Sequence, residues 1–92
     1  MFKINLSING EVKTFKKDFI SIATMESVFD VIENMEKVTS YRDTFNLLVE
    51  FTLKLFNGEF TEDELKNGID ATEFVTLCFE FIDKVTNGFG KK

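Results

Sequence analysis

Leu55-Phe56-Asn57-Gly58-Glu59-Phe60-Thr61-Glu62-Asp63-Glu64-Leu65-Lys66-Asn67-Gly68-Ile69-Asp70-Ala71-Thr72-Glu73-Phe74 contains a helix stop, a capped turn, a second stop and a new helix start. Gly58 supplies the left-handed residue that ends a helix without a Cβ clash. Thr61 with Glu64 forms a capping box, in which each side chain satisfies a main-chain N–H of the other residue. Asp70 with Glu73 repeats that logic at the next start. The last helix is therefore expected from Ala71 to about Thr86, released by Gly88 and Gly90.

Working back from this stretch, Ser40 can cap a helix from Tyr41 to about Phe56. Before it, Met25, Val28, Phe29, Ile32 and Met35 recur at three- and four-residue spacing, the period of an amphipathic helix. Ser21 or Thr24 can cap this first helix. Further back the period changes to two. Phe2, Ile4, Leu6 and Ile8 alternate with Lys3, Asn5 and Ser7, and Asn9-Gly10 suits the two positive φ angles of a type I′ turn. Val12 and Phe15 are expected to continue the apolar face on the returning strand. Two strands alone are marginal in water, so one face must pack on helices. The fold class is α+β: an N-terminal β-hairpin, then a mainly α-helical part with three longer helices and one short helical turn. One domain is expected over 1–92, with hairpin and connection in 1–20, helices in 21–86 and a flexible tail in 87–92.

Composition excludes much chemistry. The chain has 92 residues, 12 of them Phe, and no Pro, Trp or His. Without His it lacks the commonest general base and the commonest metal ligand. Cys78 is the single cysteine, so no internal disulfide can form and a zinc site lacks its usual ligands. Its apolar neighbours mark it as a small buried hydrophobe, which fits a reducing compartment. Met1-Phe-Lys-Ile-Asn alternates polar with apolar, unlike a signal peptide. Glu50, Lys54, Glu80 and Asp83 break the apolar runs, so no membrane helix is expected. A soluble intracellular protein is the expectation.

The net charge is −5. Residues 1–20 carry Lys3, Lys13, Lys16 and Lys17 against Glu11 and Asp18, whereas residues 21–83 hold the other acidic side chains. Such a middle repels phosphate backbones, and the hairpin lysines serve to keep an edge soluble. No nucleic acid is expected as a partner. The glycines match neither a GxxxxGK[ST] loop nor GxGxxG between strand and helix. Placing Gly68 at position six of a calcium loop puts Leu65 at position three and Phe74 at position twelve, where a bidentate Glu belongs. Ser21, Ser27 and Ser40 have no His base, and Glu62 with Asp63 reads as a solvated capping face. No catalytic residue, cofactor site or metal site is expected, and the protein is not read as an enzyme.

Two helices carry more apolar surface than one stripe requires. Phe45, Leu47, Leu48, Val49, Phe51, Leu53, Leu55 and Phe56 surround one of them. Phe74, Val75, Leu77, Cys78, Phe79, Phe81, Ile82 and Val85 surround the other. A helix apolar all round is either central or covered by a partner, and a small domain has room for one central helix. The surplus is either ordinary core with a few exposed aromatics or a face for self-association or a partner. Partner contacts are placed on Phe45, Phe51, Phe74, Phe79 and Phe81, without a choice of which face outward.

The segments Phe56-Asn57-Gly58, Phe60-Thr61-Glu62-Asp63-Glu64-Leu65 and Asn67-Gly68-Ile69-Asp70-Ala71 resemble the tail assembly chaperones of long-tailed phages and prophages of Gram-positive bacteria. The resemblance covers nearly the whole chain, in length and in order of elements. It implies action in the bacterial host cytoplasm during virion assembly and absence from the mature virion. It implies binding to the tape measure protein, so that major tail protein subunits polymerise around it. It also implies that slippage near the gene end adds a C-terminal extension that recruits major tail protein; Gly90-Lys91-Lys92 fits an A-rich slippery site and equally an ordinary solubilising tail. Self-association is expected as temporary cover for apolar faces. The alternative is a small acidic adaptor or inhibitor that sequesters a host helix or basic partner, and an enzyme accessory subunit is a weaker third.

Overall fold

The computed structural model describes residues 2–87. Strands β1 (Phe2–Ile8) and β2 (Glu11–Lys17) form an antiparallel hairpin, followed by α1 (Ile22–Met35), α2 (Tyr41–Leu55), α3 (Glu62–Gly68) and α4 (Ala71–Asn87). The α+β architecture expected from the sequence is the one observed. The last helix continues through Asn87, one residue into the segment read as tail. The remaining tail and its slippage motif at Gly90-Lys91-Lys92 lie outside the described residues.

Asn9 (φ 53°) and Gly10 (φ 81°) make the expected two-residue turn and set the register, Ile8 opposite Glu11 and Phe2 opposite Lys17. Phe2, Ile4 and Leu6 are buried against the helices while Lys3, Asn5 and Ser7 face water. The returning strand corrects one expectation. Val12 pairs with Ser7, and residues directly opposite in a ladder share a face, so Val12 points to solvent and is 72% exposed. The positions opposite Leu6 and Phe2 are Lys13 and Lys17. Only Phe15, opposite Ile4, extends the apolar face, and it packs edge-on against Phe60 with ring centroids 5.0 Å apart. Lys17 instead reaches Glu59, Nζ to Oε2 at 3.2 Å.

The helix ends follow the capping chemistry. Ser21 and Ser40 accept N–H bonds from Thr24 and Asp43 at 3.1 and 3.0 Å. Thr61 and Glu64 complete both halves of their capping box. Asp70 accepts from the Glu73 N–H at 3.1 Å. At the end of α2 the N–H of Gly58 reaches the Leu53 carbonyl and that of Asn57 the Lys54 carbonyl, a Schellman closure. Both Asn57 (φ 57°) and Gly58 (φ 79°) adopt the left-handed conformation, so the stop expected of Gly58 is shared with Asn57. The capped turn at 61 extends to seven residues of helix.

Helix α2 is the central one. Leu48, Val49, Phe51, Thr52 and Leu55 are buried along it, with Phe56 just beyond its end. The α2–α4 crossing uses small groups: the Thr52 hydroxyl donates to the Leu48 carbonyl at 3.0 Å and lies 3.3 Å from the Cys78 sulfur. Helix α3 packs along β1. Ser7 sits in a non-hydrogen-bonded pair of the ladder, so its N–H and C=O point toward the free edge of β1. Gly68 presses on that edge: a Cβ there would lie 3.0 Å from the Ser7 oxygen and 3.2 Å from Leu6 Cβ. Gly68→Val should cost about 1–3 kcal/mol, as overpacking does. A lowered urea midpoint with unchanged slope is the expected readout, and a midpoint equal to wild type would rule out the close approach.

Candidate functional site

The structure divides the proposed contact residues. Phe51, Phe74 and Phe81 are buried, Phe45 is half-buried, and Phe79 is 54% exposed. The three buried rings are held in the core of the folded chain. What remains on the surface is Phe79 and the outer part of Phe45, at two separate places.

The first place is a groove. Phe45 and Val49 from α2, Leu65 and Lys66 from α3, Ile69 from the connection, and Ala71 and Phe74 from α4 enclose about 220 Å³. Phe45 and Phe74 meet edge to face, centroids 5.6 Å apart, and form one wall. Ile69, between the end of α3 and the Asp70 cap of α4, is extended (φ −145°, ψ 145°) and lines the space. A shallower depression lined by Tyr41, Arg42, Phe45 and Asn46 adjoins it through the shared Phe45. Tyr41 is 96% exposed beside Arg42, the chain's single arginine. Lys66 and Arg42 are the charged side chains of this lining. Lys66 is paired with Glu62 at 2.9 Å, whereas Arg42 makes no ion pair among the described residues. Leu65, Ile69 and Ala71, noted in the sequence for the family resemblance, and Arg42 were not among the partner contacts expected from it. An isoleucine lodged between a helix stop and a cap was the available signal.

The second place is the outer side of α4. Val75, Phe79 and Ile82 recur at helical spacing with Thr72 and Thr86 in line, and all are at least partly exposed. Glu73 and Glu80 line the neighbouring depression with Asp70 and Leu77. A third apolar exposure, Phe19 and Ile22, lies where the hairpin joins α1.

Poised reactive chemistry is not among these features. Burial pushes the Cys78 thiol up to about 11, and the Thr52 hydrogen bond offsets only part of that. Among the described residues, no cluster of three or more His, Cys, Asp or Glu could hold a metal ion. No buried side-chain nitrogen or oxygen among them lacks a hydrogen-bond partner. No helix among them is long and apolar enough to cross a membrane.

A family model described as phage tail chaperone protein matches the chain over residues 1–92. No curated protein and no solved structure matches it.

The division between core and surface rings can be measured. Phe81→Ala should lower unfolding free energy by about 3–5 kcal/mol. Phe79→Asp, on the surface, should change it by roughly 0.5 kcal/mol or less. Equal losses in denaturant titrations would contradict the assignment. Cys78 supplies a pH test. Its folded pKa lies above the unfolded 9.0, so the stability it contributes is present below about pH 9 and is lost as pH rises through about 11. Relative to Cys78→Ala, the wild type should lose stability across that window. Parallel pH profiles would show that the thiol is not buried in its neutral form.

Proposed function

The chain belongs to the phage tail chaperone family, and on that premise we propose that it is a non-enzymatic tail assembly chaperone whose client is the tape measure protein. The observation that carries the reading is apolar surface in an acidic chain: the α2–α3–α4 groove and the Phe79 stripe are uncovered while the net charge is −5. A long helical client with exposed apolar stripes aggregates by joining those stripes to one another. Small proteins that present apolar grooves can cover them one at a time. The acidic surface then gives the complex like-charge repulsion from other complexes. Coverage has to be reversible, because major tail protein subunits must polymerise around the same client.

On this reading the protein works in the host cytoplasm and leaves before the virion is complete. Free copies cover their own apolar faces by weak self-association, in competition with the client. Major tail protein is the second partner, reached while the client is held.

Co-expression with the tape measure protein of the same phage should raise the soluble yield of that protein, and the two should co-purify. Phe79→Glu should weaken the complex by about 1–3 kcal/mol if the α4 stripe is a hot spot, with circular dichroism showing the fold intact. An insoluble client that is not pulled down by the wild-type chain would end the client assignment.

A further inference from the structure

We propose that the groove between α2, α3 and α4 docks an amphipathic helix that carries a large apolar anchor and, one helical turn from it, an acidic residue that pairs with Arg42. The inference rests on the chaperone reading for the identity of the protein that supplies this helix.

The groove sets the anchor. Its volume of about 220 Å³ is below the roughly 300–1,000 Å³ of typical small-molecule pockets. Its walls are Phe45, Val49, Leu65, Ile69, Ala71 and Phe74, and Lys66, already engaged by Glu62, is the one polar side chain of the lining. A space of that size and polarity takes one large aliphatic or aromatic side chain.

Arg42 sets the neighbour. It precedes Phe45 by three residues on α2, so the two lie on one face. Their separation along the axis is about 4.5 Å, close to the rise between residues three apart on a docked helix. A guanidinium offers two parallel N–H donors to a carboxylate. The nearby acids belong to other surfaces. Asp43 lines a depression with Lys37 on the α1 side, Asp70 and Glu73 line the outer side of α4, and Glu62 is taken by Lys66. In a chain of net charge −5 the groove and its extension are lined by two cations and no acid, and since Glu62 already matches Lys66, Arg42 is the cation left without an ion pair among the described residues. That inversion of local charge selects an acidic helix and disfavours a basic one.

Two synthetic helical peptides provide the test, each with one Leu anchor and with Glu or Lys one turn away, titrated by fluorescence anisotropy against the full chain at low salt. The Glu peptide should bind at least tenfold tighter than the Lys peptide. The preference should reverse with Arg42→Glu. Ala71→Trp, which fills the groove from an exposed position, should abolish binding of both. Equal affinities, a wild-type preference for Lys, or a preference that survives Arg42→Glu would overturn the proposal. So would sedimentation showing that Arg42→Glu dissociates an oligomer that the Glu peptide does not displace, because the occupant would then be a second copy alone. Circular dichroism checks each variant, and if Ala71→Trp does not fold, the charge reversal alone decides. Co-expression separates this inference from its premise. If wild type, Arg42→Glu and Ala71→Trp all solubilise the tape measure protein equally, the groove is not its dock and the chaperone reading stands. If none does while the charge reversal holds, the groove docks acidic helices and the tape measure assignment fails.

Discussion

A run of phenylalanine rings in edge and tilted contact holds the hairpin to the helices. Phe15 on β2 meets Phe60, Phe60 meets Phe56, Phe56 meets Phe81 on α4, and Phe81 meets Phe2 on β1, with centroids 5.0 to 6.0 Å apart. Each such pair adds about 0.5–1.5 kcal/mol beyond area burial. The run touches both strands, the end of α2, the following loop and α4. A two-stranded hairpin has little stability of its own, so its place in the fold depends on this contact line. Lys84 Nζ, 5.5 Å from the Phe2 centroid, closes the far end with a cation over the ring. Phenylalanine enrichment thus has a structural cause before any functional one.

The run depends in turn on how α2 stops. Phe56 and Phe60 can meet only if the chain reverses at once after the helix. Asn57 and Gly58 accomplish this with consecutive positive φ angles. Glu59, in the same reversal, ties to Lys17 across the hairpin. The segment that ends one helix therefore also positions the second strand. This strand, with lysines at two of its inward positions, would otherwise have little to bury.

Most of the helix boundaries were legible in the sequence because capping is local: Ser21, Ser40, Thr61 and Asp70 act within three residues of themselves. The turn at Asn9-Gly10 was legible for the same reason. The facing of side chains was less so. Val12 sits on the solvent face because a two-residue turn fixes its partner as Ser7. The wheels of α2 and α4 carry apolar residues beyond one stripe, which masked the ranking of Phe51, Phe74, Phe79 and Phe81, although on α4 the helical spacing sets Phe79 in line with Thr72, Thr76, Asp83 and Thr86. Tertiary position ranks them: α2 is central, and α4 turns Phe74, Cys78, Phe81 and Val85 inward while Phe79 is left outside. Arg42 carried no signal in a sequence read for apolar surplus. Its meaning arises only when the fold sets it beside a groove.

The groove itself follows from a core constraint. Gly68 ends α3 close against the β1 edge at Ser7, where a Cβ would fit only if Ser7 and Leu6 gave way by a few tenths of an ångström. The chain leaves that contact extended, through Ile69, and Asp70 then caps α4. One extended residue between two helices separates them on the side facing the first half of α2. Phe45 and Phe74 meet on the α2–α4 side of that gap and wall it, and Ala71 is too small to fill it. The same close packing that seats α3 on the hairpin thus opens the space on its other side. Changes at Ala71 can reshape that space without touching the phenylalanine run, because the two are built from different residues.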